Sequence, residues 1–256
     1  LLASIGLGRK VIVSERIDPE YQSFPRFGVT LRNLTYPLAS EVVVQTQKVA
    51  DSYLNRYSKQ IRVIPNPIIL KQSTKHCQKE KLILNVGRLH SQKGQDILLN
   101  AFARIQSEFP DWNLLILGEG ENRDSLELEI NRLGLTDRVS IPGQAREVEA
   151  EFRKSSIFAF PSRFEGFPNA LVEAMWIGLP CIAFKGVSGV DDLIDDGFSG
   201  ILVDWESVEG FSKALKQLMS NHELRESLGS HGMKKVKTMC CREAVVAVWE
   251  DTLLNQ

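Results

Sequence analysis

The chain has 256 residues, 43% of them hydrophobic and 25% charged, with a net charge of −1. That composition is ordinary for a globular chain with room for one large domain or two small ones. The near-zero charge excludes a bulk electrostatic pull toward nucleic acid, and no apolar run approaches the roughly 20 residues needed to span a bilayer.

From the start, Lys10 to Ser14 is a short β-branched run that reads as a buried strand. The chain opens Leu1-Leu2-Ala3 without Met and runs into that strand, which reads as a piece that has lost its upstream part. No signal peptide is visible. A Pro-containing loop to Pro25 follows, then helical spacing over 29–39, a strand over Glu41 to Gln45, a helix over Lys48 to Tyr57 and a strand over Ile61 to Ile64. Pro65-Asn66-Pro67 stops that strand, because neither a helix nor a central strand tolerates it. The polar, Lys-rich residues 68–80 read as a linker; His76 and Cys77 lie in it without metal-ligand spacing.

From Leu82 the pattern restarts and stays regular. Strands are predicted at Leu82 to Val86, Trp112 to Leu117, Val139 to Pro142, Ile157 to Phe160, Cys181 to Phe184 and Ile201 to Val203. Between them fall helices at 94–107, 122–133, 147–154, from Asn169 to near Gly178, and 191–195; three more, 207–220, 222–238 and 241–254, close the chain. Strands alternating with helices imply an α/β fold with parallel sheets covered on both faces. The expected organisation is two doubly wound Rossmann-type units, the first incomplete: residues 1–67, the linker 68–80, a second unit over 81–240, and a terminal helix in 241–256 that crosses back to the first.

Four cysteines are present: Cys77, Cys181, Cys240 and Cys241. None shows metal or redox spacing, so the chain reads as reduced and cytoplasmic. His76, His90, His222 and His231 form no Ser/His/Asp or zinc-like arrangement, and the last two read as exposed helix positions.

The densest chemistry lies in Pro161 to Pro180, PSRFEGFPNALVEAMWIGLP, where seven residues separate Glu165 from Glu173. A loop ending at a helix start offers free N–H groups and the positive end of the helix dipole, a ready phosphate site. A diphosphate could sit on the N–H groups of Phe167 to Leu171 while the two carboxylates take sugar hydroxyls on either side. The plain alternative is that Glu173 complements the dipole and Glu165 is a solvated loop residue. Upstream, Gly87-Arg88-Leu89 and Lys93-Gly94 follow the first strand of the second unit. Arg88 and Lys93 are either a pair of diphosphate ligands at a strand's carboxyl end or two solvated loop cations. Gly118-Glu119-Gly120 lacks the third glycine of a dinucleotide fingerprint, since Arg123 stands there, so a nicotinamide cofactor is discounted. Val139 to Gln144 reads by spacing as a strand closed by a turn at Gly143.

EGFPNALVEAMWIGLP resembles the donor motif of the large retaining glycosyltransferase family with the GT-B fold, and GRLHSQKG resembles that family's diphosphate-binding loop. VIVSERIDP resembles the strand and loop before the acceptor side in bacterial enzymes that build lipid-linked polysaccharides. The resemblance implies transfer of a sugar from a nucleotide diphosphate, UDP before others, with retention. Arg88 and Lys93 would neutralise the diphosphate, Glu165 would hold the donor sugar and Glu173 the ribose. Backbone at Gly87, Gly118, Gly120, Gly143, Gly166, Phe167, Asn169, Ala170 and Leu171 would line the donor site. The acceptor it implies is a saccharide or lipid-linked saccharide, with peripheral contact at the inner membrane face through the first unit. Asp192 stands where the family usually has Glu, which puts a direct donor contact there in doubt, and Asp195, Asp196 and Gly197 read as turn residues. No Asp-any-Asp metal clamp occurs, so no metal cofactor is expected and the leaving group falls to Arg88, Lys93 and the helix N-terminus. Two other readings share these residues: a nucleotide-sugar-binding piece without transfer, and a nucleotide-sugar epimerase of the same fold.

Overall fold

The computed structural model describes residues 10–19, 26–54, 61–70 and 78–254. The readings at the chain's start, at Pro25, at the end of the helix to Tyr57, and at His76 and Cys77 fall outside these residues.

The first unit holds β1 (Ile12–Ser14), α1 (Arg26–Thr35), β2 (Glu41–Val44), α2 (Gln47–Leu54) and β3 (Ile61–Val63), with the strands parallel in the order β1-β2-β3. The helix expected over 29–39 starts earlier and tightens into a 3₁₀ turn at Tyr36–Leu38, where Pro37 cannot continue an α-helix. Every residue of β2 is buried, as a strand flanked on both sides requires.

The second unit runs β4 (Leu82–Val86), α3 (Gln95–Ala103), β5 (Asn113–Leu117), α4 (Arg123–Arg132), β6 (Val139–Gly143), α5 (Val148–Lys154), β7 (Ile157–Phe160), α6 (Asn169–Ile177), β8 (Cys181–Phe184), α7 (Val190–Leu193), β9 (Ile201–Val203), α8 (Val208–Ser220) and α9 (His222–Cys240). Its six strands are parallel, in the order β6-β5-β4-β7-β8-β9. β7 and β8 are buried along their whole length, the mark of a sheet covered on both faces. The helix predicted over 94–107 stops at Ala103, and Gln106–Glu108 forms a separate 3₁₀ turn. The short helix predicted over 191–195 ends at Leu193, because Asp195 to Gly200 closes a turn in which the Asp196 carboxylate accepts from the Leu202 N–H.

α10 (Arg242–Leu254) leaves the second unit and packs on the first sheet, where Val245 is buried against Val43 and Ile64 with Ile12 and Trp249 alongside. Arg62 of β3 bonds both Glu41 and Asp251, tying the helix to the sheet edge. The stretch predicted as a linker is anchored at its start: Ile68 is buried in the second unit's core and its N–H donates to the Cys240 carbonyl at 2.8 Å. His231 is not an exposed position. It is half-buried and its ring stacks on Phe198 with centroids 4.0 Å apart.

α9 crosses the end of α6 at a glycine contact so close that a Cβ on Gly229 would stand 2.1 Å from the Gly178 carbonyl oxygen. Gly229→Ala must push the helices apart and should cost about 1–3 kcal/mol, the range for overpacking. Denaturant unfolding of the variant checks this; an unchanged midpoint would show that the helix shifts freely.

Candidate functional site

The strand order sets the position of the site. β5 and β6 lie to one side of β4, while β7, β8 and β9 lie to the other, so the sheet reverses direction between β4 and β7. Loops leaving the carboxyl ends of two such strands diverge and leave a crevice between them. The loop after β4 carries Gly87, Arg88 and Lys93; the loop after β7 carries Glu165, Gly166 and Phe167.

The two loops meet in an ion pair. Lys93 Nζ stands 2.6 Å from Glu165 Oε1, with side chains 21% and 8% exposed. Glu165 is therefore not a solvated loop residue, and Lys93 is not a solvated loop cation. Gly94 makes the meeting possible: its φ is +64°, and a Cβ there would lie 2.0 Å from the Pro161 carbonyl oxygen. Gly87 leaves room for the Lys93 stem, whose Cδ would stand 3.3 Å from a Cβ at that position. Arg88 is exposed, and among the described residues no carboxylate lies within ion-pair distance of it.

α6 begins with Asn169 as its first helical residue after Pro168, and no side chain caps it. Of the N–H groups from Phe167 to Leu171, that of Asn169 is already bonded to the Phe167 carbonyl at 3.0 Å. Ala170 is half-buried, while the Leu171 and Phe167 side chains are in the core, so Leu171 has only its backbone to offer. Glu173 is the fifth residue of the helix and lies past its first turn, so it does not serve as an acid complementing the dipole. It is half-buried, and burial raises its carboxyl pKa above the ordinary 4.5.

Two cavities adjoin this helix. The larger, about 400 Å³, lies between the two units and is lined by Gln92, Glu165, Gly166, Phe167 and Asn169 from the second and by Arg16, Asp18, Gln45 and Asn66 from the first. The smaller, about 70 Å³, is lined by Glu173 with Pro67, Ile68 and Leu70. The two carboxylates thus open onto different cavities, which share Asn66, Phe167 and Asn169. Asn66 Nδ2 donates to Asn169 Oδ1 at 3.0 Å across the units.

The glycines of the neighbouring loops have a packing role that spacing did not reveal. A Cβ on Gly118 would meet the Gly87 carbonyl oxygen at 1.9 Å, and one on Gly120 the Leu89 carbonyl oxygen at 2.2 Å. The turn after β5 therefore lies directly on the loop after β4. Gly143, with φ +96°, faces Glu119, which pairs with Arg123. These glycines hold the loops against each other, and none of the three lines the larger cavity.

Sequence reading missed Arg163. Its guanidinium bonds the Ser91 carbonyl, both Asp96 oxygens at 3.0 and 2.8 Å, and Glu206. Its own N–H donates to the Gln92 carbonyl, and its carbonyl accepts from the Trp205 indole. It braces the turn that presents Lys93. The arginine sits two residues before Glu165, yet only the fold brings Asp96 and Glu206 to it. Asp192 is also placed by the fold: its Oδ2 accepts from the Gln47 N–H at 2.8 Å, so it caps α2 of the first unit. Beside it the Thr46 and Ser188 hydroxyls meet at 2.8 Å. Among the described residues no cluster of His, Cys, Asp and Glu has metal-site geometry, and no helix is long and apolar enough to cross a membrane.

The family model of the Glycosyl transferases group 1 matches residues 68–235. The amylovoran biosynthesis glycosyltransferase AmsD of Erwinia amylovora is 30% identical over 253 residues, covering 94% of this chain and 71% of that protein. An α-1,4-N-acetyl-D-galactosaminyltransferase of Campylobacter jejuni, named for an acceptor carried on PP-undecaprenol, is 27% identical over 243 residues, covering 93% of this chain and 66% of its own length. The chain spans less than half, 46%, of a third curated relative. Among solved structures, HepE of Anabaena in complex with UDP superposes with a TM-score of 0.91 at 20% identity, covering 100% of this chain and 75% of that one. At that identity the likeness shows a common fold, the GT-B arrangement.

The raised Glu173 pKa carries a stability consequence. In the folded chain the carboxyl holds its proton to higher pH than in the unfolded chain, so its stabilising effect is full below about 4.5 and is lost as pH rises through the folded value. Glu173→Gln should therefore raise the thermal midpoint at pH 7, with the gain shrinking toward zero as the pH falls below 4.5. Thermal melts of both proteins between pH 4 and 8 test this; a variant less stable at pH 7 would contradict it.

Proposed function

Because the chain belongs to the Glycosyl transferases group 1 family, we propose that it serves in transfer of a sugar from a nucleotide diphosphate, UDP before GDP or ADP, to a saccharide or lipid-linked saccharide, with retention and without a metal ion. The observation that carries the reading is the Lys93–Glu165 pair, which joins the two loops at the sheet's reversal point and fixes Glu165 in the wall of the cavity between the units.

In this reading Arg88 takes the diphosphate as a planar fork. Lys93 has three N–H donors; one holds Glu165 and the others bond phosphate oxygens as the leaving group gains charge. Glu165, fixed by Lys93, accepts from hydroxyls of the donor sugar and favours an oxocarbenium-like transition state. The uncapped N–H groups at the start of α6 add the helix dipole to the diphosphate. Glu173 accepts from the ribose hydroxyls, and its burial makes those hydrogen bonds stronger than they would be in water. The names of the Erwinia and Campylobacter relatives support the polysaccharide and lipid-linked acceptor class.

Calorimetric titration with UDP, GDP, ADP and NAD, each with and without magnesium, tests the donor. UDP should bind without metal. Arg88→Ala should weaken UDP binding about tenfold or more, since a charge-assisted hydrogen bond is worth roughly 1.5–3 kcal/mol, and should leave the thermal midpoint unchanged. Lys93→Ala should weaken binding and also destabilise the fold, because it leaves Glu165 buried without its partner. In the full-length protein, Glu165→Ala should chiefly lower turnover and Glu173→Ala chiefly weaken nucleotide binding. Unchanged kinetics in both would overturn the reading.

A further inference from the structure

The proposed donor site draws on the second unit, yet the larger cavity is walled on its other side by the first. There the cation is Arg16. Its Nη1 donates to Asn66 Oδ1 at 2.7 Å, and the Gln45 amide bonds the same Asn66. Asn66 is a neutral amide, itself held by the neutral Gln45. Asn66 fixes the guanidinium in place without cancelling its charge.

Apart from Arg88 on the opposite loop, the other cations named so far are matched. Lys93 has Glu165, Arg163 has Asp96 and Glu206, and Arg62 has Glu41 and Asp251. Among the described residues no carboxylate lies within ion-pair distance of Arg16, although Asp18 lines the same cavity. Arg16 also sits directly against the central motif: a Cβ on Gly166 would stand 2.8 Å from the Arg16 carbonyl oxygen. A held, uncompensated arginine fork in a cavity of about 400 Å³, beside the residue assigned to the reacting sugar, suits a phosphate oxyanion.

We propose that Arg16 binds a phosphate group of a substrate from the first unit's side of the cleft, with Asn66 as the residue that positions it. Resting on the glycosyltransferase reading, that phosphate comes either from the donor's diphosphate or from the diphosphate of a lipid-linked acceptor. The chemistry is shared, and the two sources predict different binding data.

The test titrates wild type, Arg16→Gln and Arg16→Lys with UDP, and then titrates each with inorganic diphosphate in saturating UDP. If the donor is the source, Arg16→Gln loses at least tenfold in UDP affinity, and wild type takes no further diphosphate. If the acceptor is the source, UDP affinity holds within twofold, and the wild type's additional diphosphate binding falls at least tenfold in Arg16→Gln. In either case Arg16→Lys, which keeps the charge and loses the fork, falls between the two. UDP and diphosphate affinities in Arg16→Gln that both stay within twofold of wild type overturn the proposal and leave the glycosyltransferase reading intact. So does a wild type that binds UDP normally while Arg16→Lys and Arg16→Gln bind alike and undiminished. Conversely, a wild type that binds diphosphate through Arg16 but shows no affinity for UDP keeps the phosphate site and removes the nucleotide-sugar reading. A wild type that binds neither removes both.

Discussion

The site depends on one buried ion pair. Lys93 and Glu165 come from loops that leave adjacent strands, β4 and β7, at the point where the sheet's strand order turns back on itself. A pair this poorly solvated is sustained only by good geometry and by further bonds around it. The surroundings supply them. Gly94 brings the Lys93 turn onto Pro161, and Arg163 ties that turn to α3 and to the loop before α8. Among the described residues the non-glycine held at positive φ, Glu206, is one of the groups that bonds Arg163. Backbone strain there is held in place by the same web that orients the lysine.

The glycines extend this logic along the sheet. Gly118 and Gly120 let the turn after β5 rest on the backbone of Gly87 and Leu89, and Gly143 lets the end of β6 rest on Glu119. Each loop is thus supported by the next. A side chain added at any of these points would lift one loop from another before it met a ligand. These loops are therefore closely packed on one another, and the polar residues between the units, Asn66, Asn169, Thr46 and Ser188, join them to the first sheet.

Much of this was legible in the sequence, for definite reasons. β4, β7, β8 and β9 coincide with short apolar runs bounded by Gly or Pro, so periodicity and punctuation located them. Glu165 and Lys93 were legible as candidates because acids and bases at loop–helix junctions are conspicuous. Their contact was not, since 72 residues separate them and only the strand order joins their loops. Arg163 and Arg16, and the contact of Asp192 with Gln47, escaped for the same reason: each acts through a partner distant in sequence. Helix ends were misjudged where local chemistry intervened, as at Pro37 and at the Asp195 to Gly200 turn. His231 escaped because its partner, Phe198, lies on a different segment.

The chain passes between the two units twice, once at Asn66 to Ile68 and once at Cys240 to Arg242, and the two passages lie side by side, with Ile68 bridged in parallel to Cys241. A single connecting strand behaves as a swivel and leaves all rotations free. Two strands bonded together behave as a strap, which bends across its width but resists twisting about its length. The strap starts at Asn66, in the wall of the cavity that Arg16 and Glu165 also line, so the double passage sits at the edge of the cleft. Asp192 adds a further tie between the units: its Oδ2 accepts from the Gln47 N–H at the start of α2, where Thr46 Oγ1 also accepts from the Val49 N–H.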